Sequence, residues 1–246
     1  MDILETDAYY RRQRRNMSCA VLLSFSPFLL ASAAFFYLST PRSPPPSVLL
    51  ACVKSAPALL LAAAVLSWNG GASVAAGLVL SAGGDFCLVW PQFFLHGMAA
   101  FAVAHLLYSL TFLSSRYEKH SSSSCMFLIY LVLLATGAGF FIYLYPFLQK
   151  QPNSEVQVPA VGVYVALITM MGILAVRTRR PITLLGSLSF IVSDISLALL
   201  QFKVVPPVEH GQTVVMVTYY LAQLLISVGD VMALEKENDF AKWKKS

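Results

Sequence analysis

The chain has 246 residues, of which 57% are hydrophobic and 12% charged, with a formal net charge of +5. A mean hydropathy of +0.68 lies outside the soluble globular range, and the apolar residues come in blocks of about 20, the length that crosses a hydrocarbon core. Little sequence lies between the blocks, which leaves no room for a separate soluble domain and makes a nucleic-acid surface an unnecessary assumption.

Eight spans are predicted in chain order. The first, 17–39, is too long for the apolar core of a secretory signal and lacks an evident cleavage site, so it reads as a retained anchor. Pro41-Arg42-Ser43-Pro44-Pro45-Pro46 separates it from 46–66, and prolines suit the first turn of the helix that follows. Trp68-Asn69-Gly70-Gly71 leads to 71–89, and Trp90-Pro91 to 93–113. The longest break, Ser114 to Ser124, divides the chain into two groups of four spans. The second group is 125–149, 157–176, 181–202 and 213–234, with turns at Pro152 to Gln157 and Arg179-Arg180-Pro181. Trp68, Trp90, Tyr117 and Tyr145 near span ends fit interfacial anchoring. The fold class is therefore all-α: a polytopic membrane protein, an eight-transmembrane-helix bundle with a parallel 4+4 repeat as its candidate internal symmetry. A basic segment 1–16 precedes the bundle 17–234, and a charged tail 235–246 follows it.

Thirteen of the seventeen Lys and Arg residues fall on one side of that topology: Arg11 to Arg15, Arg116 and Lys119, Arg177 to Arg180, and the tail lysines. The positive-inside rule then places both termini in the cytoplasm. The tail ends Lys242-Trp243-Lys244-Lys245-Ser246, which resembles a dilysine retrieval signal of endoplasmic-reticulum membrane proteins. Cys19, Cys52, Cys87 and Cys125 fall in or beside spans without paired spacing, so neither a disulfide framework nor a zinc cluster is indicated.

Two spans carry an aspartate in nearly the same setting. One reads Gly77-x6-Gly84-Asp85-x2-Leu88, the other Gly186-x6-Ser193-Asp194-x2-Leu197, offset by 109 residues in the third span of each group. An acid inside an apolar helix costs roughly 2.5–3.5 kcal/mol on insertion scales, which points to a polar chamber in the bundle. Rise per residue puts both acids roughly 7–12 Å from the luminal end of their helices, with Lys54 about 12 Å down the second span. Tyr220 and Gln223 fall about 10–15 Å down the eighth and His105 about 18 Å down the fourth. One layer could collect them all, with an Asp–Lys–Asp cluster as the cheapest arrangement.

Spacing supports shared faces: Gly77, Ser81, Gly84, Asp85 and Leu88 form a small-residue stripe, and His105, Tyr108 and Ser109 a polar one. Tyr220, Gln223, Ser227 and Asp230 form another, although Asp230 falls near the cytoplasmic end and reads as a solvated carboxylate outside the site. The bland alternatives are a structural hydrogen bond or ion pair holding helices together at Asp85 and Asp194, a helix-to-helix hydrogen bond at His105 and simple charge neutralisation at Lys54, while Tyr220 and Gln223 read as positioning rather than reacting groups.

Five motifs in order resemble the lysoplasmalogenase (YhhN-like) family of eight-span membrane proteins. They are Lys54-x2-Pro57, Ser81-x2-Gly84-Asp85-x2-Leu88, Phe101-x3-His105-x2-Tyr108, Gly186-x6-Ser193-Asp194-x2-Leu197-Ala198 and Tyr220-x2-Gln223. The resemblance covers roughly residues 46–228, and Gly97 to Tyr108 looks especially like vertebrate members; the basic N-terminus and charged tail depart from it.

The resemblance implies hydrolysis of the vinyl ether of lysoplasmenylethanolamine or lysoplasmenylcholine to a fatty aldehyde and glycerophosphoethanolamine or glycerophosphocholine, with no cofactor. Protonating the alkenyl carbon gives an oxocarbenium ion that water captures. That step needs one acid kept protonated and one anion, as two carboxylates in unequal settings provide in glycosidases. Asp85 and Asp194 are the expected catalytic pair. Lys54 would hold their charge state or the substrate phosphate. Ser81, His105, Tyr108, Ser193, Tyr220 and Gln223 would bind or orient water and the glycerol. The expected partners are the lipid substrate, water and the bilayer.

Three other readings compete, one of them a scaffold whose polar layer only fixes helix register. A proton-coupled lipid or small-molecule transporter would use the same Asp–Lys layer, although only Gly83-Gly84 hints at the broken helices that mark many such sites. A metallohydrolase would need His96 and His105, nine residues apart, to be completed by Asp85 and Asp194.

Overall fold

The structure, a computed structural model, describes residues 20, 23–39, 45–114, 116–117, 124–206 and 210–243, and the helices among them leave no strand. The basic segment 1–16, Arg42, Lys119 and the Lys244-Lys245 pair lie outside the described residues.

Among the described residues, the α-helices from Ser26 onward follow the predicted order: α1 Ser26–Ser39, α2 Val48–Ser67, α3 Ala72–Cys87, α4 Phe94–Phe112, α5 Ser124–Leu148, α6 Ser154–Arg177, α7 Pro181–Gln201 and α8 Gly211–Trp243. Six are long and apolar enough to cross a membrane, while α1 and α3 are shorter apolar helices. The chain is a multi-pass membrane protein. Helix α8 runs nine residues past its predicted membrane edge into the charged tail, where Ala233-Leu234-Glu235-Lys236 are good helix formers and need no bilayer.

The helix ends follow local chemistry. Ser47 caps α2 by accepting from the Leu50 amide, and Pro181 opens α7 at a position where its missing N–H costs nothing. Asn69 (φ 54°) and Arg179 (φ 52°) adopt the left-handed conformation just past α2 and α6, so equivalent helices of the two halves close in the same way. Pro57 inside α2 removes one ladder bond, and the helix is pinned nearby by Ser55, whose hydroxyl donates to the Ala82 carbonyl at 2.8 Å.

The packing repeats between halves. Helix α2 packs against α1, α3 and α8; α6 packs against α5, α7 and α4; and α3–α4 contact is matched by α7–α8. Shifting each label by four turns one set of neighbours into the other, the relation of a parallel repeat. Helix α8 stands at the centre, with 61% of its apolar window buried, whereas only 6% of the α5 window is buried. Helix α1 seals the first half: Phe28, Phe35 and Phe36 surround Tyr220 edge-on, with ring centres 5.7–6.1 Å away.

Tyr117 departs from its expected role as an interfacial anchor. It is 3% exposed and covered by the Arg180 guanidinium, 5.3 Å from its ring centre, so the cation shields it from the interface.

Candidate active site

The two aspartates occupy two separate polar clusters. Asp85, near the end of α3, is buried. Its Oδ2 accepts from the Tyr219 hydroxyl of α8 at 2.6 Å, and its Oδ1 lies 3.6 Å from Lys54 Nζ of α2. The Tyr220 hydroxyl turns the other way and donates to the Lys54 carbonyl at 2.8 Å, beside the Pro57 break. Tyr219 and Tyr220 are chain neighbours about 100° apart on the helix, so one reaches the acid and the other its partner's backbone.

Asp194, midway along α7, is met from α4 and α6. Tyr164 donates to its Oδ2 at 2.6 Å, His105 Nε2 lies 3.2 Å from the same oxygen, and Tyr164 and His105 are 3.0 Å apart. The clusters thus correspond under the repeat: α3, α2 and α8 supply Asp85, Lys54 and Tyr219, while α7, α6 and α4 supply Asp194, Tyr164 and His105. The expected Asp–Lys–Asp cluster forms at Asp85 alone, because in the second half the acid meets a tyrosine of α6, whereas in the first it meets Lys54 of α2.

An aromatic layer separates them. Phe101, Phe190 and Tyr219 pack edge-to-face with ring centres 5.6–6.3 Å apart, and Phe190 also lies 4.6 Å from the His105 ring. Gly84 admits this layer: a Cβ there would come within 2.6 Å of Phe101.

The other expected residues hold the helices together. Ser81 lies 3.3 Å from the Tyr108 hydroxyl, which donates to Gln223 at 2.8 Å, and a Cβ at Gly77 would strike the Tyr108 ring. Ser193 donates to the Val215 carbonyl at 2.9 Å, joining α7 to α8 rather than facing Asp194's partners.

Asp194 differs from Asp85 in what it opens onto. Its side chain is 14% exposed, against 2% for Asp85. It faces an apolar cavity, partly open to the exterior, between α4, α5, α6 and α7. Met98, Phe140, Val165, Ile191 and Ala198 are typical of the walls, and Tyr164 and Asp194 are among the few polar groups. The lining suits a hydrocarbon chain.

Residues 49–229 match the YhhN family. The chain belongs to that family. Among similar proteins, the lysoplasmalogenase TMEM86B of Sus scrofa is 37% identical over 64% of this chain and 62% of its own length. The human protein of that name is 37% identical over 67% and 66%. Human lysoplasmalogenase TMEM86A is 33% identical over 66% of each. The chain therefore spans just under two thirds of the length of these relatives. No solved structure matches it.

In this YhhN chain the sequence reading missed Tyr164, Tyr219 and Asp230. Tyr164 sits in an apolar run with no polar pattern around it, and the 109-residue offset of the two aspartates aligns Lys54 with Val163 rather than with Tyr164. Asp230 is fully buried, not solvated: it accepts from the Gly71 amide at the start of α3 and lies 3.6 Å from Arg116 Nη1. The loop after α4 brings that arginine over it. For a metal, no three His, Cys, Asp or Glu side chains converge among the described residues, and His96 packs on Phe93 at 5.8 Å instead of joining His105.

Proposed function

We propose that this YhhN chain hydrolyses the vinyl ether bond of lysoplasmalogens, releasing a fatty aldehyde and glycerophosphoethanolamine or glycerophosphocholine. The observation that carries the reading is an Asp–His–Tyr cluster at the wall of an apolar cavity, in a family whose similar members are named lysoplasmalogenase. The alkenyl chain enters that cavity from the bilayer, which brings the ether against Asp194.

A proton held between His105 Nε2 and Asp194 Oδ2 passes to the alkenyl carbon. The Asp194 carboxylate then faces the oxocarbenium ion, and Tyr164 fixes the carboxylate by its hydrogen bond. Water adds to the cationic carbon and returns a proton to the pair. The hemiacetal loses its glycerol oxygen as an alcohol, leaving the aldehyde. One water is consumed, and no cofactor enters.

The two acids divide the work. Asp194 touches substrate. Asp85, paired with Lys54, acts through Tyr219 and the aromatic layer as a positioning group. Ser81, Tyr108, Ser193, Tyr220 and Gln223 hold the helices that orient both. The multi-pass bundle resides in the endoplasmic reticulum with both termini cytoplasmic, a placement that rests on the basic loops and the dilysine tail.

Purified protein given 1-alkenyl lysophosphatidylethanolamine should release aldehyde and glycerophosphoethanolamine in equal amounts. A preparation that binds the lipid but releases neither product defeats the proposal. The parallel repeat and sealed Lys54–Asp85 pair also suit a proton-coupled transporter. Uptake into vesicles without product would establish that reading instead.

A further inference from the structure

Hydrolysis consumes water, yet the cavity beside Asp194 is walled almost entirely by aliphatic and aromatic side chains, and cavities of that kind stay dry. Polar atoms suited to water lie elsewhere. Ten buried side-chain atoms lack a hydrogen-bond partner among the described residues, and six of the ten, Arg116 Nη1, Asp230 Oδ1, the hydroxyls of Tyr117, Thr183 and Ser187, and His105 Nδ1, fall along one line. Buried polar groups are nearly always paired, with protein or with ordered water.

Their placement is ordered. Asp230 and Arg116 meet at the end of the bundle where α4 finishes and α7 begins. Tyr117 follows Arg116 and faces Thr183, close enough to interact though outside hydrogen-bond geometry. Thr183 also abuts the neighbour of Asp230, since a Cβ at Gly229 would come within 2.8 Å of its hydroxyl.

From there α7 carries the line inward. Thr183, Ser187, Phe190 and Asp194 recur at intervals of four, seven and eleven residues, one helix face about 16 Å long. Thr183, Ser187 and Phe190 are fully buried. On the facing helix α4, buried Ser109 lies one turn from His105 toward the same end. The line ends at His105 Nδ1, on the imidazole whose other nitrogen meets Asp194. Phe190 is the single apolar side chain on the stripe, its ring 4.6 Å from the imidazole, so it is the gate.

We propose that this stripe is a water path from the Arg116–Asp230 end of the bundle to His105, so that water and lipid reach the Asp194 centre from different sides. Its purpose rests on the hydrolase reading, while its placement rests on the buried polar atoms alone. The water it delivers adds to the oxocarbenium carbon, and the proton it gives up passes to the Asp194–His105 pair.

The test compares two adjacent positions in protein held in lipid nanodiscs. Ser187→Cys, on the stripe, and Leu188→Cys, on the lipid side (Leu188 is 37% exposed), are treated with a charged methanethiosulfonate reagent. Peptide mapping separates each from native Cys19, Cys52, Cys87 and Cys125. Ser187→Cys should react at least about tenfold faster, as water access dictates, and Thr183→Cys, one turn nearer the end, serves the same comparison if Ser187→Cys does not fold. Equal rates, or protection of the stripe position, overturn the path.

Turnover gives the second readout. Ser187→Val should lower kcat about tenfold with KM unchanged, and Ser187→Thr should restore it. Wild-type kcat in Ser187→Val overturns the path as well. Should the unmodified protein release no aldehyde, the hydrolase reading fails, while the labelling rates still decide whether water reaches Ser187.

Discussion

The halves of this bundle share helices, neighbours and an aspartate, and they differ in what surrounds the acid. In the first half, Phe28, Phe35 and Phe36 of α1 close over Tyr220, and Asp85 is sealed with Lys54 and Tyr219. In the second, the equivalent helix α5 packs on α6 through Leu144 and Leu148, and an apolar cavity remains between α4, α5, α6 and α7, where it meets Asp194. A buried acid needs a partner wherever it lies. An ammonium satisfies Asp85 by charge, which suits a carboxylate that keeps its place. A phenol and an imidazole satisfy Asp194 by hydrogen bonds, which leaves a proton free to move. On the proposed reading, one repeated pattern serves as brace in one half and reaction centre in the other.

Variants can break that contrast. Asp194→Asn should lower turnover roughly a thousandfold, the usual scale for a lost acid–base group, with an unchanged elution profile. Tyr164→Phe removes the hydrogen bond to Asp194; about 2 kcal/mol, or roughly thirtyfold in kcat, is expected from single-turnover assays. Asp85→Asn should cost about tenfold in turnover but roughly 3–5 kcal/mol in stability, because Lys54 is left as a buried unpaired charge. Thermal unfolding reads that loss, and Lys54→Met combined with Asp85→Leu should recover most of it. If Asp85→Asn abolishes turnover as fully as Asp194→Asn in a stable protein, both acids touch substrate and the division of labour is wrong.

Two further variants sharpen the contrast at the cavity. Ala198→Phe, pointing into the second-half cavity, should raise KM for long-chain substrate about tenfold while leaving kcat near wild type. Phe35→Ala, in the filled first half, should cost roughly 3–5 kcal/mol of stability and change turnover less than about threefold. A Phe35→Ala protein that instead shows a new lipid preference would mean that the first half also binds chains.

The spans were legible because each is a local property. A run of about 20 apolar residues with Pro, Gly or Asn at its ends dictates a crossing helix whatever its neighbours are, and predicted edges such as 181–202 match Pro181–Gln201 closely. The repeat was visible in the Gly–Asp spacing for the same reason. Residue chemistry also marked Lys54, Asp85, His105 and Asp194 as the groups that an apolar interior would not hold without partners.

Partnership itself depended on the rotation and depth of each helix in the bundle. Nothing in Tyr219-Tyr220 says which hydroxyl faces Asp85. The answer comes from α8 packing against both α2 and α3. Tyr164 became visible only when α6 crossed α4, and Asp230 proved buried only because the loop after α4 carries Arg116 over it. The sequence by itself determined a membrane bundle with costly polar groups inside. Only the tertiary structure decided which acid is sealed and which meets a cavity, because that follows from side-chain volumes on helices distant in the chain: phenylalanines of α1 close over Tyr220 in the first half, whereas the side chains of α4 to α7 leave a cavity at Asp194 in the second.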